Sequence, residues 1–272
     1  MNIGLIAGGG QFPVLFSRKA REKGFTVIAA AIKNEADTLL NEYTSQIQWS
    51  HIGQVAKLIK FFKSNGVTRT VMLGTINKTS IFKDIKPDFM ALKLMTRARK
   101  THDDHMLKHV ARFLGEQGIE VVASTFLLPE LICSKGIWTR KKPDFQTFQD
   151  IYRGWAITKE IGKLDIGQCL VMGGGSVLAV EGADGTDETI KRGGLLANGR
   201  GAIVIKLSKP NQDLRFDLPT AGLRTIETMS RYGASTLVLE AGKTICFDRD
   251  EMIEFADTKK ISIVVLDQDD IP

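Results

Sequence analysis

The stretch Ser208–Gly222, SKPNQDLRFDLPTAG, carries an acid, a base and an acid at alternate positions, Asp213, Arg215 and Asp217, interleaved with Leu214, Phe216 and Leu218. As an extended strand it would put the three charges on one face and the three apolar side chains on the other. Asp213 and Asp217 would then be roughly 13 Å apart, too far to share one ion. Pro210 and Pro219 bracket the stretch and favour a bent loop over a long ladder strand. A loop that curls lets both acids and Arg215 face one cleft. Three unlike charges on one face of a loop are seldom needed for folding, so this stretch is read as functional.

Three further stretches carry charges or glycines at useful spacings. In EGADGTDETIKRGG, Glu181, Asp184 and Asp187 follow an apolar run and lead into a helical pattern. Acids spaced by glycine at a strand end can present oxygen ligands to Mg²⁺. The same residues suit a capped helix, with Asp184 or Thr186 as N-cap and Asp187 and Glu188 in the first turn. Lys191 and Arg192, one turn on, could serve a phosphate. In IAGGGQFP, the turn Gly8, Gly9, Gly10, Gln11 lies between a strand and a helix, where backbone N–H groups can meet a phosphate. The dinucleotide fingerprint fails at its third position, which is Pro13. Glu35 and Asp37 imitate a ribose-binding acid only by position. In RKTHDDHMLKHV, Asp103 and Asp104 stand at an expected helix start beside Arg97, Arg99 and Lys100. That pair is read as facing a cleft with basic neighbours, against the alternative that the acids only favour the helix dipole. His105 and His109 share a helix face, but two such histidines without a third ligand do not define a metal site.

The elements that must position these residues follow from periodicity. NIGLIA, FTVIAAAI and VTRTVMLG are continuous apolar runs, separated by helical patterns in GGGQFPVLFSRKAREKG and VAKLIKFFKSNG. PDFMALKLMTRARK and DDHMLKHVARFLGEQG continue the helices, and IEVVAS adds a strand. Such alternation predicts a parallel sheet covered on both faces. IWTRKKPDFQTFQ, charged and Pro-containing, reads as a linker, and FQDIYRGWAITKEIG as a connecting helix. A second alternation runs from QCLVM through GAIVIKLS and STLVLEAG to ISIVVLD. The expected fold class is α/β, with domains over residues 1–140 and 141–272.

Composition sets limits on partners. Of 272 residues, 43% are hydrophobic and 25% charged, ordinary for a globular protein, and no apolar run is long enough to span a membrane. MNIGLIAGGGQFP has no basic leader and does not read as a signal peptide. Cys133, Cys169 and Cys246 are widely spaced and match no metal-binding pattern, which points to a reducing compartment, the cytoplasm. The net charge of +6 is concentrated between Ile52 and Arg112, where thirteen Lys and Arg face four Asp. That region favours anionic partners, unless it is a solvated face. FMALKLMTRARK could line an acyl-chain groove or lie on a membrane, but a core-facing helix with a basic outer face is the commoner explanation.

Taken in order, IGLIAGGGQFP, KPDFMALKLM, DDHML, EGADGTDETIKRGG and KPNQDLRFDLPTAGLRTIE resemble the UDP-2,3-diacylglucosamine pyrophosphatases of lipid A biosynthesis, the type unrelated to calcineurin-like phosphoesterases. His102 before Asp103 and Ala183 in the acid-rich turn depart from that pattern without removing a charged residue. The resemblance implies an N-terminal Rossmann-like domain, a C-terminal α/β domain, and substrate in an interdomain cleft. It implies Mg²⁺-dependent hydrolysis of a nucleotide-sugar lipid, with Mn²⁺ as a substitute ion. On this reading Asp213 and Asp217 are metal-ligand or water-activating candidates, with Asp184 and Asp187 as further metal ligands. Arg215, Lys191 and Arg192 are phosphate candidates. Gly8, Gly9, Gly10 and Gln11 would meet the nucleotide or sugar end, and Asp103, Asp104, Thr186 and Thr220 would complete the substrate contacts. A lipid substrate also implies the surface of an anionic inner membrane. A homo-oligomer is compatible with the sequence. Two other readings stay open at this level: a Rossmann-type nucleotide-dependent oxidoreductase or transferase, and a basic nucleic-acid or membrane-surface binding protein. The chain shows no RNA-binding aromatic motif and no helix-turn-helix signal, so nucleic acid is not the expected partner.

Overall fold

Apolar runs that no face of which alternates with polar residues must be buried on both sides, and the first five strands obey that rule except at the sheet's edges. β1 (Asn2–Ala7), β2 (Thr26–Ile32), β3 (Gln46–Ser50), β4 (Arg69–Leu73) and β5 (Glu120–Val121) form one sheet in the order β3-β2-β1-β4-β5. Every pairing in it is parallel. This is a Rossmann-like sheet, and its strand order reverses between β1 and β4. The computed structural model describes residues 1–76, 85–97, 103–123, 125–210, 212–215 and 218–272, with backbone alone at 95–97 and 103–106. The chain divides into two units: Met1–Pro129 with Asp213–Asp217, and Glu130–Gln212 with Leu218–Pro272.

In the first unit, α3 (Val55–Ser64), α4 (Phe89–Arg97) and α5 (Asp103–Glu116) cover one face of the sheet. Ile59, Phe62, Leu94 and Leu114 pack there with Ile28 and Ala30 of β2. α1 (Phe12–Glu22) and the short α2 (Leu40–Tyr43) pack together beyond β2. They bury Phe16, Ala20 and Leu40 completely.

The second unit is built on a mixed sheet. β6 (Gly136–Ile137), β7 (Cys169–Gly173), β8 (Ser176–Val180), β9 (Ala202–Lys206), β11 (Ala234–Glu240) and β13 (Ser262–Leu266) take the order β6-β13-β11-β9-β7-β8. β9, β11 and β13 are parallel, while β7 is antiparallel to both neighbours and β6 antiparallel to β13. β10 (Thr220–Ala221) and β12 (Ile245–Cys246) make a separate parallel pair. On one face, α6 (Phe145–Lys163) buries Ile151 and Trp155 against Leu170, Met172, Ile203 and Ile205. On the other, α7 (Thr186–Ala197), α8 (Leu223–Arg231) and α9 (Arg249–Thr258) bury Ile190, Ile226, Met229 and Met252 against Val171, Val204 and Leu237.

Several glycines are required by close approach. A Cβ on Gly8 would lie 2.5 Å from the Thr75 carbonyl oxygen, and one on Gly74 would lie 2.5 Å from that of Gly9. The Gly193–Gly194 pair of KRGG serves the same end, since a Cβ on Gly193 would strike Val171 at 2.4 Å and one on Gly194 the Tyr232 carbonyl at 2.1 Å. All three cysteines are free and buried. Cys133 and Cys246 are neighbours, and the hydrogen bond between their thiols pushes Cys133 up and Cys246 down.

Three local differences from the sequence reading have simple causes. QIQWS is a strand that periodicity passed over, because a half-exposed edge strand with two glutamines offers little apolar signal. IEVVAS contributes only Glu120–Val121 to the sheet. The charged stretch IWTRKKPDFQTFQ begins with the edge strand β6, and its last residues already belong to α6.

Gly74 combines a positive φ of 89° with the predicted 2.5 Å clash. Gly74→Ala is expected to destabilise the protein by more than about 2 kcal/mol in urea denaturation. Gly24→Ala, also at positive φ but facing open space, should cost only about 1 kcal/mol. Equal losses in the two would refute the close-approach role.

Candidate active-site residues

The strand ends at the switch point of the first unit are laced together. The Gly8 amide donates to the Leu73 carbonyl at 2.8 Å, the Gly9 amide to that of Thr75 at 2.7 Å, and the Thr75 amide back to that of Gly9 at 3.0 Å. The N–H groups of Gly8 and Gly9 are therefore occupied by the backbone of the next strand. Gly10 differs. It is exposed at φ 91°, with nothing within 4 Å of its ideal Cβ position, and among the described residues its amide makes no backbone hydrogen bond. Gln11 is the N-cap of α1 without a side-chain capping bond, and Pro13 occupies the first turn. The sequence places a glycine-rich turn at a helix start, and only its second half faces outward there. Asp37, one of the two acids after β2, accepts from the Leu39 amide at 2.9 Å and so organises its own turn. An apolar cavity of about 120 Å³ lies at the same edge of the sheet, lined by Ile6, Ala31, Ile52, Val55 and Met72 among others.

Asp213 and Arg215 group with this first unit. They form a two-pronged ion pair: Arg215 Nε donates to Asp213 Oδ1 at 3.0 Å and Nη2 to Oδ2 at 2.8 Å. The Arg215 amide also donates to Oδ1, at 3.1 Å, closing a tight local turn. Leu214 between them is exposed, so the stretch is a loop and not a half-buried strand. The Arg215 guanidinium holds the Asp213 carboxyl below the usual aspartate range, and Lys108 of α5 adds to the effect. The Asp213 side chain is 15% exposed and that of Arg215 46%. The carboxylate is thus the sheltered partner and the guanidinium the accessible one. Phe216 and Asp217 lie outside the described residues, as do His102, Arg99 and Lys100. Asp103 and Asp104 open α5, with backbone alone described.

The candidates of the second unit are held in pairs of their own. Asp184 accepts from Arg192 Nε at 3.1 Å and Nη2 at 2.8 Å, while Arg192 also donates to the Val180 carbonyl. That arginine lowers the pKa of Asp184. Asp187 pairs with Arg224 at 2.8 Å, and Lys191 with Glu188 at 3.2 Å. The Thr186 hydroxyl donates to buried Glu181 at 2.6 Å, and Glu181 also accepts from the Gln168 amide. The N-cap of α7 is Gly185, not Asp184 or Thr186, though Asp187 and Glu188 do occupy its first turn. The Thr220 carbonyl accepts from Lys206 Nζ at 2.9 Å.

Sequence reasoning overlooked a buried charged cluster at the carboxyl edge of this second sheet. Glu240 at the end of β11 is 2% exposed. It accepts from Lys159 Nζ at 2.6 Å, Lys243 Nζ at 2.9 Å and the Ser208 amide at 2.9 Å. Lys159 also donates to the Ser208 carbonyl, and burial lowers its pKa despite the partner. Lys206, at the end of β9, is 7% exposed. The signal was present: GAIVIKLS and STLVLEAG each end an apolar run on an ionisable residue.

As for metal ligands, no group of three or more His, Cys, Asp or Glu that could hold an ion occurs among the described residues. The described carboxylate candidates are single groups, each on an arginine. Such a donor set suits Mg²⁺, which takes one or two protein carboxylates and fills its shell with water and phosphate oxygens, better than an ion needing an all-protein cage.

Residues 2–131 match the LpxI N-terminal domain and residues 134–264 the LpxI C-terminal domain. A Caulobacter vibrioides relative, "UDP-2,3-diacylglucosamine pyrophosphatase LpxI", is 31% identical over 281 residues, covering 99% of each chain. Among solved structures, CobK precorrin-6A reductase aligns over 100% of this chain and 90% of that one, at 10% identity and a TM-score of 0.34. A likeness that slight identifies neither fold nor chemistry.

Two outcomes are expected. Lys159→Met strands Glu240 in the interior with only its weaker partners and should destabilise the protein by about 3 kcal/mol, whereas Lys159→Met with Glu240→Leu should recover much of the loss in chemical denaturation. The Asp213 pKa is depressed on folding, so its pairing adds stability above the unfolded aspartate range, and this is lost as pH falls through the lowered value. Because Arg215 is half exposed, the gain is below about 1 kcal/mol at neutral pH. The stability difference between wild type and Asp213→Asn should therefore shrink toward pH ~3; a difference that grows on acidification would reverse the assignment.

Proposed function

The chain belongs to the LpxI family, and from that membership we propose that it hydrolyses the pyrophosphate bond of UDP-2,3-diacylglucosamine, releasing 2,3-diacylglucosamine 1-phosphate and UMP in lipid A synthesis. The observation that carries the reading is the match of both family domains in order along one chain, together with a relative of that activity aligned end to end.

The reaction adds water to one phosphorus of the anhydride and breaks the P–O bond to the bridging oxygen. An anhydride in water survives because its negative oxygens repel a nucleophile, so the catalyst must neutralise charge before attack. In this reading Arg215 meets phosphate oxygens with its exposed guanidinium edge, held in orientation by its grip on Asp213. Asp213, kept ionised by Arg215 and Lys108, provides the carboxylate that orients a water or an ion. Gly10 and Gln11, with the start of α1 behind them, offer donors to the nucleotide or sugar end. Asp184, Asp187, Lys191 and Arg192 brace the start of α7 in their present pairs, and any contact they make with substrate draws on those pairs. Asp103, Asp104 and Asp217 remain candidates for the same chemistry on the strength of the motifs that contain them.

Metal dependence is part of the proposal. Mg²⁺, or Mn²⁺ in its place, would be held by Asp213 and by Asp217, and would neutralise developing charge on the pyrophosphate. The basic stretch from Ile52 to Arg112 suits an anionic membrane surface, where a two-chain lipid substrate resides. No described helix is long and apolar enough to cross a membrane.

The test is release of UMP from UDP-2,3-diacylglucosamine in detergent micelles, with Mg²⁺ and then with EDTA. Metal-dependent release is expected, and Asp213→Ala should lower kcat on the order of 10²-fold without loss of folding. Arg215→Lys keeps the charge but not the two-pronged geometry, and should lose at least about tenfold in kcat/KM. No release from folded protein under either condition would overturn the hydrolase reading. Turnover in EDTA would remove the metal from it.

A further inference from the structure

The second unit carries another cavity, at the edge of its sheet opposite Glu181, Lys206 and Glu240. It lies where β9, β11 and β13 begin, at Ala202, Ala234 and Ser262, and has a volume of about 580 Å³. We propose that it binds a compact anion carrying two or more phosphate groups. This inference does not use the hydrolase reading.

Charge is the first argument. Lys141, Lys142, Arg200, Lys259 and Lys260 all line the cavity, and Asp144 is the acid among them. Three helices end there: α7 before Gly199, α8 before Gly233 and α9 before Lys259. Each C-terminus is worth about half a negative charge, and the N-terminus of α6, at Asp144, about half a positive one. Five cations set against these leave a net charge of roughly +3 in one basin.

Helix ends do not explain this excess. Lys259, Lys260 and Arg200 follow helix C-termini, where a cation is favourable. Lys141 and Lys142 stand just before α6, where a cation opposes the dipole. Their backbone is nevertheless fixed there. The Lys141 carbonyl accepts from the Thr139 hydroxyl at 3.2 Å and from that of Ser262, the first residue of β13, at 3.0 Å. The fold thus ties Lys141, whose charge also draws on the Asp144 carboxylate, to the sheet at a helix start that does not of itself favour a cation.

Pairing is the second argument. Elsewhere in this unit cations are commonly matched: Lys135 with Asp267 and Asp270, Lys163 with Glu160, Lys209 with Asp165, Arg192 with Asp184. Among the described residues, none of the five basin cations makes an ion pair with a carboxylate within 4 Å; Lys259 lies only over the Phe255 ring.

Lining chemistry limits the ligand. The volume falls in the range of small-molecule sites. Ser230, Ser235, Thr236 and exposed glycine backbone at Gly199 and Gly233 supply polar groups, and no aromatic side chain lines the cavity. A nucleobase would find nothing to stack on, and an acyl chain nothing long and apolar to lie against. Clustered phosphates match the charge and the donors, whether free in solution or on an anionic lipid headgroup.

The full-length protein should be titrated with inorganic tripolyphosphate by calorimetry at about 0.15 M salt, where exposed charges more than ~8 Å apart are screened. Saturable binding is expected. The triple variant Lys141→Gln, Lys142→Gln, Lys260→Gln should weaken it at least about tenfold. A charge-matched control, Lys135→Gln, Arg153→Gln, Lys163→Gln, should stay within about twofold. A second arm measures co-sedimentation with cardiolipin vesicles, whose headgroup carries two phosphates, against phosphatidylcholine vesicles. Capture by the former alone, lost in the basin triple and blocked by tripolyphosphate, supports the same site with a lipid headgroup as the source. Absence of both kinds of binding, or equal losses in basin and control variants, overturns the proposal.

Discussion

A carboxylate at 2% exposure survives in a protein only if its charge is answered, and Glu240 is answered three times, by Lys159, Lys243 and the Ser208 amide. Much of the second unit follows from that requirement. Lys159 projects from α6, so this 19-residue helix is registered against the end of β11. Ser208 is the second residue after β9, so the chain leaving that strand is held by both its amide and its carbonyl. Lys206, two residues earlier, reaches across to the Thr220 carbonyl at the far end of the same excursion. The segment bearing Asp213 and Arg215 therefore leaves β9 and returns to β10 at points fixed by these bonds. Replacing this ionic frame by apolar residues would keep much of the stability and lose the directional bonds that hold the loop's ends.

Arginine is the recurring partner of the candidate carboxylates. Asp184 with Arg192, Asp187 with Arg224, and Asp213 with Arg215 are carboxylate–guanidinium pairs of differing geometry on different elements. A guanidinium keeps its charge at any pH of interest, so an aspartate beside it stays ionised. It also leaves lone pairs on the carboxylate free to accept more. A carboxylate in such a pair does not stand as an isolated negative charge, which would be costly to hold near a polyanion. The three pairs differ in how much they are committed. Arg192 is also bonded to the Val180 carbonyl and sits in the frame of α7, while Arg224 is the most exposed of the three guanidinium groups.

Long apolar runs made most of the fold legible in the sequence. Both sheets, the helix started by the Pro13 turn, and the helix at Thr186 were readable because burial on two faces demands such runs and turns demand Gly or Pro. Strand β3 was not legible, since an edge strand needs few apolar residues. The antiparallel setting of β7 was not legible either, because direction leaves no mark on composition. The glycine-rich turn shows the limit of motif reading. IAGGGQFP looked like a phosphate cradle, but Gly8 is required by the close approach of Gly74 and Thr75, just past β4, and the amides of Gly8 and Gly9 are taken up by that same segment. The DLRFD alternation was read as a face of charges; the Asp213–Arg215 pair instead closes on itself over two residues. The Lys159–Glu240 pair was missed because 81 residues separate its members.

The smallest strand in the second sheet has a large effect on how the chain can be made. β6 precedes every other element of that sheet, yet its partner is β13, the last strand, through Gly136 with Val265 and Ile137 with Val264. Thr139, Lys135 and Arg140 reinforce the same seam with Ile263, Asp267 and Asp257. On a ribosome, the all-parallel sheet of the first unit draws its five strands from the first 121 residues and can assemble while synthesis continues. The second sheet cannot zip its edge until nearly the whole chain has emerged. Its closure spans a long loop and is entropically slow. The vulnerable period in the life of this protein is therefore late in translation, when β6 waits as an unpaired edge for a strand not yet synthesised.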